Sequence, residues 1–282
     1  MRRRTPRDIA IAALAYGGIA LALFVTLFPI YWIALNSFKL NIDIFAVPPV
    51  WFDFTPTGAN YHATYVERNF ASFALNSLVI AVATTIVSLA LGTMAGYALA
   101  RFRYPGSTKF HLSFWILSTR MMPPIVTVIP LFIFFNFLDM LNTKWAVIIA
   151  YTAFNLPFAT WMMKSYFQDL PVELEEAAMV DGDTRWGAFL RVALPLSRPG
   201  LAATAIFCVI ISWNEFLLAL VLTQTEQSQT LPIGIAGRVT QYTTHWGEIS
   251  AAGFLAAIPI MVFAFIVQKH LVRGLSFGAV KG

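Results

Sequence analysis

The sequence predicts an all-α protein that crosses a lipid bilayer several times, and two observations carry that prediction. First, 58% of its 282 residues are hydrophobic and only 12% are charged, with a mean hydropathy of +0.69. Soluble domains hold roughly half apolar residues and about one-quarter charged ones. Second, the charges punctuate the chain at wide intervals and leave uncharged stretches of about 20 residues or more, the length a helix needs to cross the hydrocarbon core. Such stretches must be helical, because lipid offers nothing to pair with the backbone groups of an open strand.

Six intervals qualify. Residues 9–33 form the first, an uncharged run too long for a cleavable leader, so the basic start Met1-Arg-Arg-Arg-Thr-Pro-Arg7 reads as the flank of a retained signal-anchor helix. The second is 69–100, between Arg68 and Arg101. The third, 111–137, carries one charge, Arg120, and is interrupted by Pro123, Pro124 and Pro130. Residues 145–163, between Lys144 and Lys164, make a compact fourth. The fifth, 200–222, holds Glu215, and the sixth, 249–268, is uncharged between Glu248 and Lys269. The expected organisation is a short tail at 1–8, a membrane domain at 9–272 that includes a polar loop at 168–199, and a second tail at 273–282.

Orientation follows from where Lys and Arg fall, because basic residues accumulate on the cytoplasmic side. Fourteen of the 19 lie on one side: Arg2, Arg3, Arg4, Arg7, Arg101, Arg103, Lys109, Lys164, Arg185, Arg191, Arg198, Lys269, Arg273 and Lys281. Four lie on the other (Lys39, Arg68, Lys144, Arg238), and Arg120 falls within a span. Both termini and the 168–199 loop are therefore expected in the cytoplasm. The same asymmetry accounts for the basic isoelectric point, and no basic patch interleaved with aromatics points to nucleic acid.

The chemistry of several enzyme classes has no foothold. The single cysteine, Cys208, sits in an apolar run, which excludes an intrachain disulfide and leaves no metal-ligand spacing. The histidines, His62, His111, His245 and His270, are widely scattered. No Gly-x-x-x-x-Gly-Lys-Ser/Thr phosphate loop exists. No catalytic or metal site is expected on this chain, and any ATP chemistry must come from a partner. The external loops are short, with the first rich in Pro and aromatics (Pro48, Pro49, Trp51, Phe52, Phe54, Pro56). None is large enough to capture a solute alone.

The 168–199 loop is the most polar stretch and reads as helix, turn, helix. Asp169 offers an N-cap and Pro171 suits a first turn. Glu173, Glu175 and Glu176 follow near the positive end of the helix dipole. Leu174, Ala177, Ala178 and Val180 give one small apolar face, and Gly182 can take the left-handed conformation that closes a helix. A second short helix over 184–192 presents Trp186, Phe189 and Leu190 before Pro195 and Pro199 end it. A stubby knob with an apolar face fits a groove on another protein. Its acidic first helix disfavours the alternative of lying on an anionic leaflet.

The stretch Glu176-Ala-Ala-Met-Val-Asp-Gly182, with Phe189 and Leu194-Pro195, resembles the EAA loop of binding-protein-dependent ABC importer permeases. The likeness continues at Asn76-Ser77, Leu156-Pro157-Phe158, Trp213-Asn214-Glu215-Phe216, Leu231-Pro232-Ile233-Gly234 and Gly278-Ala-Val-Lys-Gly282. It looks like the carbohydrate-uptake branch, close to the smaller permease of the maltose system. Asp183 departs from the pattern, where a small residue is expected. The resemblance implies a bacterial inner-membrane complex: a pair of permeases, usually a heterodimer, two ATP-binding subunits that hold ATP and Mg, and an external solute-binding protein. It also implies that Glu176, Ala177, Ala178, Asp181, Gly182, Leu194 and Pro195 form the coupling element seated in a cleft of the ATPase, and that the C-terminal tail reaches towards the ATPase dimer.

Ionisable groups inside a span mark candidate functional sites. Two roles are open to Arg120: hydrogen bonds to sugar hydroxyls or an anionic group on the solute, or a pair with a carboxylate or carbonyl that pins helices together. Glu215 is a candidate partner for it or a gate. Asn155 and Asn214 can bond a polyhydroxyl solute or bridge helices, and Tyr151, Phe154 and Trp161 can stack on a sugar face or pack. The expected function is translocation of a sugar or sugar-like solute by alternating access. The rival from another class, an ion-coupled secondary transporter, requires an inverted repeat and a carboxylate-rich ion site, and neither is visible.

Overall fold

The computed structural model describes residues 6–67, 69–239 and 244–278. Arg2, Arg3, Arg4 and Arg68 of the charge count, and residues 279–282 of the terminal motif, lie outside the described residues. In chain order the helices are α1 (Pro6–Ser37), α2 (Asn41–Ile44), α3 (Ala59–His62), α4 (Phe70–Arg101), α5 (Thr108–Ser118) and α6 (Pro124–Phe137). Then follow α7 (Lys144–Asp169), α8 (Glu173–Val180), α9 (Arg185–Ala188), α10 (Leu194–Leu196), α11 (Arg198–Asn214), α12 (Leu217–Leu222), α13 (Leu231–Ala236) and α14 (Trp246–Gly278). Among the described residues there is no strand, only an isolated bridge between Val239 and Thr244. The all-α expectation holds.

Four helical segments are long and apolar enough to cross a membrane: Ala10–Ser37, Phe70–Arg101, Lys144–Asp169 and Trp246–Phe265. They match the first, second, fourth and sixth uncharged intervals. The third and fifth intervals are both broken, as the prolines announce for the third and nothing in the sequence announces for the fifth. The third is two helices, Thr108–Met121 and Pro124–Phe137, meeting at 88°. Met122 precedes a proline and is extended at ψ 124°, Pro123 is extended at ψ 129°, and Pro124 begins the next helix. The fifth interval stops as a helix at Asn214 and restarts at Leu217, while its other end, Arg185–Leu196 against Arg198–Asn214, bends by 73°.

The chain forms two compact units. In the first, Met1–Phe70 with Ile235–Ala257, α1 buries none of its apolar window within the chain, as befits a helix that is hydrophobic all round and faces lipid or another subunit. Lys39, counted among the outer charges, is almost fully buried. Its ammonium donates to the Val50 carbonyl and stands 4.8 Å from the centroid of Trp32 and 5.1 Å from that of Phe54, an aromatic cage that holds a cation by its ring faces. Burial lowers the pKa of Lys39, with Asp43 opposing. Asn60 ties the turn together, its amide donating to the carbonyls of Ser37 (3.0 Å) and Lys39 (2.8 Å).

The second unit, Ala71–Gly234 with Ile258–Gly282, is organised around α7. Thr143 caps its start by accepting from the Ala146 amide. One cluster, with Ile80, Phe135, Val147, Tyr151, Leu218 and Leu222, surrounds the first half of α7; a second, with Tyr97, Met163, Phe167, Phe189 and Ala193, surrounds its end. Gly92 and Gly96 let α4 lie directly on α7. A Cβ at Gly92 would fall 2.7 Å from the Ala159 Cβ, and one at Gly96 2.7 Å from the Lys164 nitrogen. This small-xxx-small spacing brings two helices to backbone contact. Two motifs far apart in sequence also meet. The Asn76 amide donates to the carbonyls of Gln227 and Gln229, both at 2.9 Å, and Ser77 accepts from the Leu231 amide at 2.8 Å. This fastens the Leu231-Pro-Ile-Gly234 segment to α4.

Candidate functional site

The knob at 168–199 begins differently from expectation. Asp169 is the last residue of α7 and not an N-cap; α8 starts at Glu173, after Pro171 and Val172, without a side-chain cap. The C-terminal end follows the sequence closely. Gly182 has φ +93°. The Gly182 amide reaches the Met179 carbonyl (3.2 Å) and the Asp183 amide reaches that of Ala178 (3.0 Å), the pair of bonds that defines a Schellman turn. Asp183 earns its place in this turn: its Oδ1 accepts from the Thr184 amide and from Arg191, both at 2.8 Å. Thr184 then caps α9 by accepting from the Gly187 amide at 3.0 Å.

The second helix runs past Pro195 and ends at Leu196, where the chain bends by 73° into α11. Pro199 sits in the first turn of α11, where a missing N–H costs nothing. The chain reaches Pro195 through a π turn, Phe189–Ala193. The result is a compact knob with Glu176, Ala177, Asp181 and Gly182 exposed and Ala178 half-buried on its free side. Leu194 and Pro195 are half-buried at its base. Leu174 is 46% and Val180 86% exposed, so α8 carries an uncovered apolar edge beside Glu176.

Glu175 was not distinguishable from its neighbours in the sequence. It is buried, its carboxylate accepting from the Tyr97 hydroxyl at 2.6 Å and from the Arg101 Nε at 2.7 Å. The available signal is helical spacing: Glu175 lies three and four residues before Ala178 and Met179, the half-buried side of α8.

The second candidate region is a cavity of about 180 Å³ lined by Arg120, Pro124, Tyr151, Phe154, Asn155, Ser212, Glu215 and Leu218, among others. Both helix breaks open onto it, through Pro124 and Glu215. Glu215 is occupied at the second break: its carboxylate accepts from the amides of Leu218 (2.9 Å) and Ala219 (3.2 Å), capping α12, while its carbonyl accepts from the Tyr151 hydroxyl at 3.3 Å. Among the described residues no carboxylate lies within ion-pair distance of Arg120. Its guanidinium instead sits 4.7 Å from the Phe158 ring centroid. The Asn155 amide donates to Ser212 at 2.9 Å, and its oxygen has no partner among the described residues. Asn214 turns away from this group and donates to the Ile210 carbonyl of its own helix at 2.8 Å. Trp161 is exposed elsewhere on α7. The structure thus brings Arg120, Tyr151, Asn155 and Glu215 together and leaves Asn214 outside.

Cys208 is buried and free. Among the described residues no group of three His, Cys, Asp or Glu could hold a metal ion.

Residues 88–277 match the family described as "Binding-protein-dependent transport system inner membrane component". The chain is 38% identical over 264 residues to the diacetylchitobiose uptake system permease protein DasC of Streptomyces coelicolor, covering 93% of this chain and 95% of that one. It is 34% identical over 272 residues to the trehalose/maltose transport system permease protein MalG of Thermococcus litoralis, covering 95% and 96%. A subunit of a bacterial ABC transporter involved in the import of the acidic polysaccharide alginate has a similar fold, with a TM-score of 0.75 at 22% identity over 95% of this chain and 99% of that one.

Proposed function

The chain belongs to the family of binding-protein-dependent transport system inner membrane components, and on that premise we propose that it is one of two permease subunits of a sugar importer driven by a separate ATPase. The observation that carries this reading is the knob: a rigid helix and Schellman turn that leave an apolar edge uncovered around Glu176. ATP and Mg are bound by two partner subunits, and closure of those subunits moves the knob. The names of the relatives, for diacetylchitobiose and for trehalose and maltose, support a carbohydrate solute, and the family's description supports its delivery by a binding protein. They lend no support to an ion-coupled carrier. Co-purification tests the assignment: the chain carries an ATP-binding subunit and a second permease through detergent extraction, and the complex hydrolyses ATP. Isolation of this chain without any ATPase, from membranes still competent for uptake, overturns it.

The cavity supports a shared pathway. At about 180 Å³ it is smaller than the ~300–1,000 Å³ usual for small-molecule sites, so a second permease completes it. Arg120 offers donors that no carboxylate among the described residues takes up, Asn155 an open acceptor and Phe154 an aromatic side chain, a set suited to hydroxyl groups on a sugar ring. Broken helices at mid-membrane are where transporters expose backbone and polar groups to solutes. Arg120→Ala is expected to lower uptake roughly tenfold or more, equivalent to about 1.4 kcal/mol, with assembly and basal ATP hydrolysis intact. Arg120→Lys keeps the charge but loses the planar fork and recovers only part of the activity. Unimpaired uptake by Arg120→Ala removes the residue from the pathway.

The charge asymmetry supports a cytoplasmic location for the knob and both termini. In a Cys208→Ala background, an impermeant maleimide applied to intact spheroplasts is expected to label Asp53→Cys and to spare Thr184→Cys. The reverse pattern contradicts the orientation.

A further inference from the structure

We propose that Glu175, Arg101 and Tyr97 form a latch that compels α4 to move with the knob, making Glu175 a positioning residue for transport. The proposal rests on the reading of the knob as the ATPase docking element and concerns the opposite side of that element, which faces the membrane domain.

Glu175 is the only one of the three first-turn carboxylates of α8 that is buried. A buried carboxylate is tolerated only when charge and hydrogen-bond donors satisfy it. Here both donors come from the last two turns of α4: the Tyr97 hydroxyl at 2.6 Å and the Arg101 Nε at 2.7 Å. The same guanidinium donates through Nη2 to the carbonyl of Leu170, the residue that closes α7, at 3.0 Å. One side chain therefore joins the ends of α4 and α7 to the start of α8. The second half of the knob is fastened to the same turn of α4, because the Tyr97 ring packs on Phe189 (4.6 Å between centroids) and on Phe167 of α7 (5.3 Å).

Apolar surfaces slide on one another at little cost, whereas a charge-assisted pair is directional and resists displacement. A pull on α8 that left α4 behind would strand a carboxylate in an apolar setting. The pull is therefore carried into α4. Gly92 and Gly96 seat α4 against the backbone of α7, whose Tyr151 and Asn155 line the polar cavity. Hydrogen bonds to Glu175 and Leu170 and ring packing on Phe189 anchor one side of the knob, while Leu174 and Val180 stay exposed on another, the arrangement of a lever and its socket.

The test separates the latch from both docking and stability. A single cysteine at Thr119, an exposed position in the break between α5 and α6 where the chain packs on α7, reports access to a water-soluble maleimide in the complete reconstituted transporter lacking Cys208. In the parent, ATP with orthovanadate is expected to change the labelling rate roughly tenfold, within the range usual for coupled sites. In Glu175→Gln, which keeps the shape and loses the charge, the response falls to about twofold or less while ATPase association and vanadate-trapped nucleotide persist. Tyr97→Phe keeps ring packing and the ion pair and gives an intermediate response. A purely structural role would lower assembly and response in proportion. A parental response in Glu175→Gln or in Tyr97→Phe, or loss of assembly in both, overturns the latch. Retention of ATPase association and hydrolysis in Gly182→Trp would instead defeat the docking reading, whatever Glu175 does.

Discussion

Gly182→Trp is expected to abolish solute-stimulated ATP hydrolysis while the chain still inserts and assembles with its partner permease. The space around this glycine is open. Its φ of +93° is needed for the Schellman turn that ends α8, and a Cβ built on it meets nothing within 4 Å. A side chain there starts in open space on the exposed side of the knob, so added bulk is expected to be felt chiefly by whatever covers that side. The backbone conformation itself penalises any L side chain by about 1–2 kcal/mol. Gly182→Ala separates the two effects, because it incurs the conformational cost without the bulk. Stimulated hydrolysis, measured in proteoliposomes with the binding protein and its solute, should survive largely in Gly182→Ala and vanish in Gly182→Trp. Glu176→Lys should behave like the Trp variant, since it reverses a charge on the same exposed surface. Normal stimulation in Gly182→Trp would mean that the knob is uncovered in the working complex.

Gly96→Leu carries the second large effect, on the fold itself. A Cβ at this position would lie 2.7 Å from the Lys164 nitrogen, 2.9 Å from the Thr160 oxygen and 3.0 Å from the Met163 Cβ. Two of those atoms are helix backbone and cannot rotate away. The larger side chain must push α4 off α7, opening the cluster of Tyr97, Met163, Phe167 and Phe189. Overpacking typically costs 1–3 kcal/mol, and a contact on backbone belongs at or above the upper end, about 3 kcal/mol. The measurable outcome is loss of monodisperse protein after extraction, with a lowered melting temperature for the remainder. Gly17→Leu is the control: nothing lies within 4 Å of a Cβ there, and the chain on its own should melt unchanged.

The four long helices were legible because lipid imposes a simple rule, and the charges that end them, such as Arg101 and Lys144, are placed by it. The breaks were legible in part. Pro123 and Pro124 announce an interruption, but the 88° turn depends on where α6 packs, against α12. The break at Glu215 carries no proline, and glutamate is not among the favoured N-cap residues, so a straight span was the natural expectation. Gly182 could be assigned to its turn from sequence because a Schellman motif is local. Glu175 could not be separated from Glu173 and Glu176, since the partner that draws it inward, Arg101, lies 74 residues away. The Gly92–Gly96 spacing was visible, yet only the facing α7 backbone gives it meaning. In the cavity, Arg120 and Glu215 stood out as membrane charges; that Glu215 spends its carboxylate on capping α12 is a non-obvious consequence of the break itself.

The most direct test of the central claim is photocrosslinking from the knob. Benzoylphenylalanine placed at Val180 or at Leu174, both exposed on the apolar edge, is activated in membranes and the adducts are identified by mass spectrometry. Adducts are expected with a protein that carries a Gly-x-x-x-x-Gly-Lys-Ser/Thr phosphate loop, and are lost when Gly182→Trp is added. Adducts with lipid alone, in membranes active for uptake, would contradict it.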